Sequence, residues 1–218
     1  MTPRRARRRP GWVTLRRVDI PTSAGAARAE LDPAGDPPFL LVLTHGAGGG
    51  VASADLLAAR QAALDLGAAV ARVVQPYRLR GARAPGSADA QDAAWLELTG
   101  VLRRRFPGVP LVQGGRSNGA RVACRTAVAA GARGVLALAF PLHPPGRPDR
   151  SRAAELAGAG TGVLVLNAAN DPFGVPPETG PVRVVVLPGG GHALAGQGSA
   201  IRRAAGSWLA GLTAARPT

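Results

Sequence analysis

The sequence predicts an α/β protein, a doubly wound and mostly parallel sheet in one domain, and two observations carry this. Short apolar runs alternate with longer segments of helical periodicity along most of the 218 residues, which is the pattern of a parallel sheet wrapped by helices. Runs such as Phe39–Thr44 (FLLVLT) are apolar throughout rather than at every second position, as strands covered on both faces must be.

The elements follow in order. Residues 13–20 and 25–31, split by Pro21–Ala24, read as two strands of a hairpin. Strand 39–44 empties into "HGAGGG". Helix 53–66 follows, with Ser53 as N-cap and Leu56, Leu57 and Leu64 assigned to its apolar face. Strand 68–74 leads to a Pro/Arg loop over 75–86. Helix 88–105 has Ser87 as N-cap, Asp89 and Asp92 early and Arg103–Arg105 late, so its charges complement the helix dipole. Strand 109–113 precedes "GGRSNGARVACRTA", of which 118–130 is helical. Strand 134–139, a Pro-rich loop, a short helix near 152–157, strands 162–166 and 182–187, and helix 199–214 complete the chain. No internal repeat is present.

Bulk properties narrow the class. An apolar content of 46% and a mean hydropathy of +0.06 describe a globular chain, and its length suffices for one buried core. The charge-free apolar stretch Leu156 to Asn170 is too short and glycine-rich to span a bilayer. Cys124 is the only cysteine, so no intrachain disulfide can form. A cytoplasmic location is expected, without membrane attachment.

The net charge of +14 resembles a nucleic-acid signal until it is dissected. All 27 basic residues are arginine, and seven fall in residues 1–17 with no acid among them, leaving 20 − 13 = +7 for the rest. An arginine-only, Ala/Gly/Pro-rich composition reflects codon bias better than a binding surface. Residues 1–11 read as a disordered basic tail, and 12–218 as the folded domain. The tail's arginines are not followed by an apolar segment, so an export signal is not expected. Aromatic residues make up 4% and no recognition motif appears, so specific nucleic-acid binding is not expected either.

The chemistry is sought around Ser117, in Gly115-Arg116-Ser117-Asn118-Gly119. With 30 glycines and seven serines, chance yields roughly 0.13 such G-x-S-x-G motifs per chain, so context decides. Here the serine falls where a strand turns into a helix, with small residues two before and two after, the arrangement that projects Oγ above the sheet at a helix N-terminus. A base must follow. His45 precedes the serine, and no acid lies between it and His143, whereas Asp149, Glu155, Asp171 and Glu178 lie between Ser117 and His192. His192, in "PGGGHAL", is therefore the expected base. Asp171, just past strand 162–166, is the expected acid, and Asp149 is the alternative. The expected oxyanion donors are the backbone N–H groups of Asn118 and of Ala47 in "HGAGGG". His45 and His143 are expected to be structural or to line the pocket, and Tyr77 to line it. Loops 75–86 and 140–152 should flank its mouth, bringing Arg78, Arg80, Arg83, Arg147, Arg150 and Arg152, read as solvated charges, with selection of an anionic substrate as the alternative. Cys124 is expected to be a buried apolar residue.

Cofactor readings fail on the residues. From Gly46 the dinucleotide fingerprint breaks at Val51, and a phosphate-binding P-loop needs a lysine that the chain lacks. Neither a cofactor nor a metal is expected.

The stretches "LVLTHGAGGG", "VVQPYRLRGARAP", "GGRSNGARVACRTA", "LALAFPLHPPGRP", "NDPFG" and "GGGHAL", over residues 39–193, resemble α/β-hydrolases of the dienelactone-hydrolase-like group. The likeness is greatest to small bacterial hydrolases related to testis-expressed and chromatin-complex subunit homologues. The resemblance implies the α/β-hydrolase fold with little or no cap, and puts Ser117, Asp171 and His192 at the triad positions. Two departures stand out: Asn118, where many relatives carry Met or Ala, and Gly191, where an acid is common. Dienelactone hydrolases use a cysteine nucleophile, so their substrate does not carry over. The expected function is a serine hydrolase of small esters, thioesters or lactones. The alternative is a catalytically silent hydrolase-fold interaction protein, associated with nucleic acid through its arginine-rich tail.

Overall fold

The computed structural model describes residues 15–214. The expected tail, 1–11, and the first two residues of the expected first strand lie outside that range. Eight strands form one sheet in the order β1-β2-β4-β3-β5-β6-β7-β8. They are β1 (Arg16–Ile20), β2 (Ala27–Asp32), β3 (Leu40–Thr44), β4 (Ala69–Val74), β5 (Leu111–Arg116), β6 (Gly134–Leu138), β7 (Gly162–Ala168) and β8 (Val182–Leu187). The β1–β2 hairpin is antiparallel and joins β4 antiparallel, and every later pairing is parallel.

Successive side chains of a strand point to opposite faces, and here both faces are covered. Leu41 and Leu43 of β3, Leu136 and Leu138 of β6 and Leu164 and Leu166 of β7 join α1 (Ala54–Asp65) and α6 (Gly198–Ala214) in one core. Leu40 and Val42 face α3 (Ala88–Arg104), and Val135, Ala137, Val163 and Val165 face α4 (Asn118–Ala130) and α5 (Ala153–Ala157). Burying each such leucine or valine contributes roughly 1.5–3 kcal/mol. This is why the continuous apolar runs, uninformative about face, become strands covered on both sides.

The structure differs from the sequence reading in a few places. Leu57 of α1 is exposed, and the buried side is Leu56, Ala59, Ala62 and Ala63; these four recur at helical spacing and set the buried stripe, and Leu57, about 100° around the helix from Leu56, falls beyond its edge. Ser53 holds the N-cap position without a side-chain hydrogen bond, whereas Ser87 Oγ accepts from Ala90 N. A short helix, α2 (Pro76–Leu79), interrupts the 75–86 loop, with proline at its start where no N–H is missed.

The largest difference is β5, which runs on through Gly114, Gly115 and Arg116. These glycines are strand because neighbouring backbone presses on them. A Cβ on Gly114 would run into the Leu136 carbonyl, and one on Gly115 would lie 2.6 Å from the Thr44 oxygen. Strands β3, β5, β7 and β8 all end at the same edge of the sheet, so the loops that follow them converge there.

Candidate active site

Ser117 occupies the single residue between β5 and α4, with φ 54° and ψ −113°. A left-handed φ is costly for a side chain with a Cβ and persists where the surroundings enforce it. Enforcement comes from close backbone contact. A Cβ on Gly119 would sit 2.8 Å from both the Thr44 and His45 carbonyl oxygens, so α4 can start this close to β3 only with glycine there. Ser117 N–H donates to the Leu138 carbonyl at 2.9 Å. Its Oγ caps nothing and lies 2.9 Å from His192 Nε2.

His192 sits in a one-turn helix, Gly191–Ala193, past β8. Its Nδ1 is 2.9 Å from Asp171 Oδ2 and 3.1 Å from Oδ1. A carboxylate only accepts, so Nδ1 carries the hydrogen and Nε2 is left to accept from the Ser117 hydroxyl. The Asp171 side chain is fully buried, and its Oδ1 also accepts from Phe173 N–H at 2.9 Å. Phe173 in turn lies against the imidazole, ring centroids 4.0 Å apart and tilted by 31°. Asp149 goes elsewhere: it pairs at the surface with Arg147. Ser117, His192 and Asp171 are thus brought together from three loops, and Asp149 is not among them.

The glycine-rich loop after β3 packs over Ser117; a Cβ on Gly46 would be 3.2 Å from Ser117 Cβ. His45 is fully buried beneath this loop, so of its two expected roles the burial fits the structural one. Its Nδ1–H donates to the Gly46 carbonyl at 2.8 Å and its Nε2 accepts from Gln75 N–H at 3.0 Å. Burial pushes its pKa below the usual histidine value. Gly49 N–H grips the same Gly46 oxygen at 3.0 Å. The peptide unit is planar and trans, so pinning the Gly46 carbonyl also fixes the direction of the Ala47 N–H. Tyr77 Oη–H donates to the Ala47 carbonyl at 3.0 Å, and burial pushes its phenol up to about 12. Among the described residues neither Ala47 N–H nor Asn118 N–H has a protein acceptor.

Loop 75–86 touches the glycine-rich loop through Tyr77 and through Arg78, which donates to the Gly49 and Ala82 carbonyls. Loop 140–152 reaches the other side, where His143 N–H donates to the Phe173 carbonyl. The half-buried His143 ring bonds the Pro144 carbonyl and packs by Gly174. Arg147 is paired with Asp149, and Arg152 donates to the Pro141 carbonyl. Between β6 and β7 only this loop and the five residues of α5 intervene, so no cap stands there.

Four supporting residues escaped the sequence reading. Asn170 Oδ1 accepts from Gly191 N–H at 3.0 Å, beside His192. Asn167 bonds both the N–H and the carbonyl of Phe140 and the carbonyl of Gly174. Phe173 stacks on the imidazole, and Arg116 Nη2 donates to the His192 carbonyl at 2.8 Å. "LNAAND" shows polar residues after a strand, but nothing local marks Arg116. Cys124 is buried as expected, its thiol pushed up to about 12 by burial. Among the described residues no helix is long and apolar enough to cross a membrane, and no cluster of three or more His, Cys, Asp or Glu is arranged to hold a metal.

Solved structures with the same architecture include a serine hydrolase without a lid from Xanthomonas campestris, 19% identical, covering 93% of this chain and 97% of its own (TM-score 0.75). A dienelactone hydrolase from Anabaena variabilis is 16% identical over 91% of this chain and 97% of its own (TM-score 0.73). An esterase from Pyrobaculum calidifontis is 18% identical over 92% and 85% (TM-score 0.64). No curated protein matches the sequence. The alpha/beta hydrolase domain family matches residues 37–204, most of the chain, and the protein belongs to that family.

Proposed function

We propose that this protein is a serine hydrolase of small esters, thioesters or lactones, with Ser117 as nucleophile, His192 as general base and acid, and Asp171 as its orienting carboxylate. One observation carries the reading: the continuous relay from Ser117 Oγ to His192 Nε2 at 2.9 Å and from Nδ1 to Asp171 Oδ2 at 2.9 Å.

In the reaction, Ser117 Oγ attacks the substrate carbonyl carbon as its proton passes to His192 Nε2. Asp171 keeps the other ring nitrogen protonated and stabilises the imidazolium. The tetrahedral oxyanion is held by the N–H groups of Ala47 and Asn118. His45, gripping the Gly46 carbonyl, presets the first of these before substrate arrives. The leaving group departs with the proton from Nε2. Water then attacks the acyl-serine, giving its proton to Nε2, and collapse of the second intermediate returns that proton to Oγ and frees the acid. The Phe173 ring face lies against the imidazole that becomes cationic at each step. The absence of a cap between β6 and β7 and the esterase among the solved relatives favour small, accessible carboxylic esters. A small molecule is the expected partner, and the site needs no cofactor for this chemistry.

A fluorophosphonate probe tests the reading. The wild type should be labelled stoichiometrically on Ser117 and lose ester hydrolysis in proportion. An enzyme that hydrolyses esters equally well after Ser117→Ala would overturn it.

A further inference from the structure

We infer that Arg116 is a positioning residue for the general base, a strap that ties the loop of His192 to the nucleophile turn. The inference rests on the proposed serine-hydrolase chemistry and adds a residue to it. Arg116 is the last residue of β5 and directly precedes Ser117. Its Nη2 donates to the backbone carbonyl of His192 at 2.8 Å, across 76 positions of sequence. Its Nε lies 2.9 Å from Asp55 Oδ2, an ion pair too bent to be a hydrogen bond. Asp55 is in the first turn of α1, with its side chain 1% exposed, and its Oδ1 accepts from Leu56 N–H. One guanidinium thus joins the nucleophile strand, α1 and the base loop, and its planar fork suits two partners at a fixed angle.

The base loop needs such a tie. Gly190 and Gly191 both have positive φ, and most of the segment is at least partly exposed. Its other anchors are the buried Leu194, the Asn170 bond to Gly191 N–H and the Asp171 bond to the imidazole. None of them acts on the backbone of His192 itself. The donor from Arg116 does, and because Arg116 is covalently next to Ser117, it fixes base and nucleophile against the same rigid strand end. A base displaced by about 1 Å loses on the order of 10²-fold in rate, so the strap bears on turnover rather than on substrate affinity.

A bland alternative is that Arg116 only neutralises the buried Asp55. The double variant Arg116→Met/Asp55→Leu separates the two roles. Replacing both members of a buried pair with apolar residues of similar size leaves stability little changed, but the His192 carbonyl loses its donor. Two measurements are made on the double variant and the wild type. The first is the second-order rate of fluorophosphonate labelling together with kcat and KM on a short-chain ester. The second is the NMR signal of the His192 imidazole Nδ1–H. The expected result is a thermal midpoint close to that of the wild type, with labelling and kcat reduced about 10- to 100-fold. KM should stay within about twofold, and the Nδ1–H signal should be broadened by exchange. Wild-type labelling, kcat and a sharp imidazole signal in the stable double variant would overturn the inference. If the double variant is too unstable to assay, Arg116→Lys, which keeps the charge for Asp55 but lacks the fork, must show the same kcat loss and broadening, and full retention of both overturns the strap. If the wild type itself is not labelled, the hydrolase reading fails, and the imidazole signal still decides whether Arg116 orders His192.

Discussion

The turn that carries Ser117 and the loop that carries His192 face each other across 2.9 Å, yet they are held by different forces. The serine turn is fixed by steric closeness. Gly115 and Gly119 let β3, β5 and α4 approach until no side chain fits between them, and the strained φ of Ser117 is the consequence. The histidine loop is fixed by polar contacts from distant segments: Asn170 to Gly191, Asp171 to the ring, and Arg116 to the His192 carbonyl. Close packing of this kind is written into the sequence as glycines at fixed spacing. A polar tether is written only as an asparagine or arginine somewhere else. A rigid serine turn beside a tethered histidine loop follows.

The comparison can be broken at several points. The largest effect is expected at the serine itself: Ser117→Ala should lower kcat by about 10⁴–10⁶, because the remaining site cannot form the acyl intermediate. The measurement is steady-state hydrolysis of a chromogenic short-chain ester by the folded variant. Next comes the acid. Asp171→Asn should lower kcat on the order of 10⁴-fold by favouring the wrong histidine tautomer, whereas Asp149→Asn, at a surface pair with Arg147, should leave it unchanged. An inactive Asp149 variant would mean that the base loop is arranged differently from the structure.

The steric half of the comparison is tested by stability. Gly115→Ala places a methyl 2.6 Å from the Thr44 oxygen and should cost about 1–3 kcal/mol or more, read as a lowered urea midpoint. A midpoint equal to the wild type would mean that the turn is not sterically set. The polar half is tested by Asn170→Ala, which removes one tether from the base loop. A hydrogen bond of this kind is worth about 0.5–1.5 kcal/mol, so the urea midpoint should fall slightly, by less than for Gly115→Ala, while kcat falls several-fold. If instead it unfolds the protein, the loop belongs to the core rather than being tied to it.

The smallest effect concerns the glycine-rich loop. His45 is buried neutral between the Gly46 carbonyl and Gln75 N–H, near the charge of Arg78, and burial lowers its pKa from 6.5. The unfolded chain therefore binds a proton that the folded chain resists. The stabilisation is complete above about pH 6.5 and is eroded as pH falls towards the lowered value in the folded state. Urea midpoints compared at pH 7.5 and 5.5 should drop further for the wild type than for His45→Gln. Identical drops would show that His45 is not held neutral.

The sequence alone determined the alternation of strands and helices, the serine turn, and the histidine and acids that could follow it, because these are local signals. Periodicity reflects which faces are covered, and glycine spacing reflects where backbones touch. Only the tertiary structure decided that Asp171 rather than Asp149 meets His192, that β5 runs through its glycines, and that His45 is buried beneath the glycine-rich loop. It alone brought Arg116 to His192. The reason is physical: a side chain's partner across 20 to 80 residues depends on where several loops end in space. Neither the identity of that side chain nor that of its sequence neighbours encodes such a distance. A motif names which groups are available for chemistry, and packing chooses which of them touch.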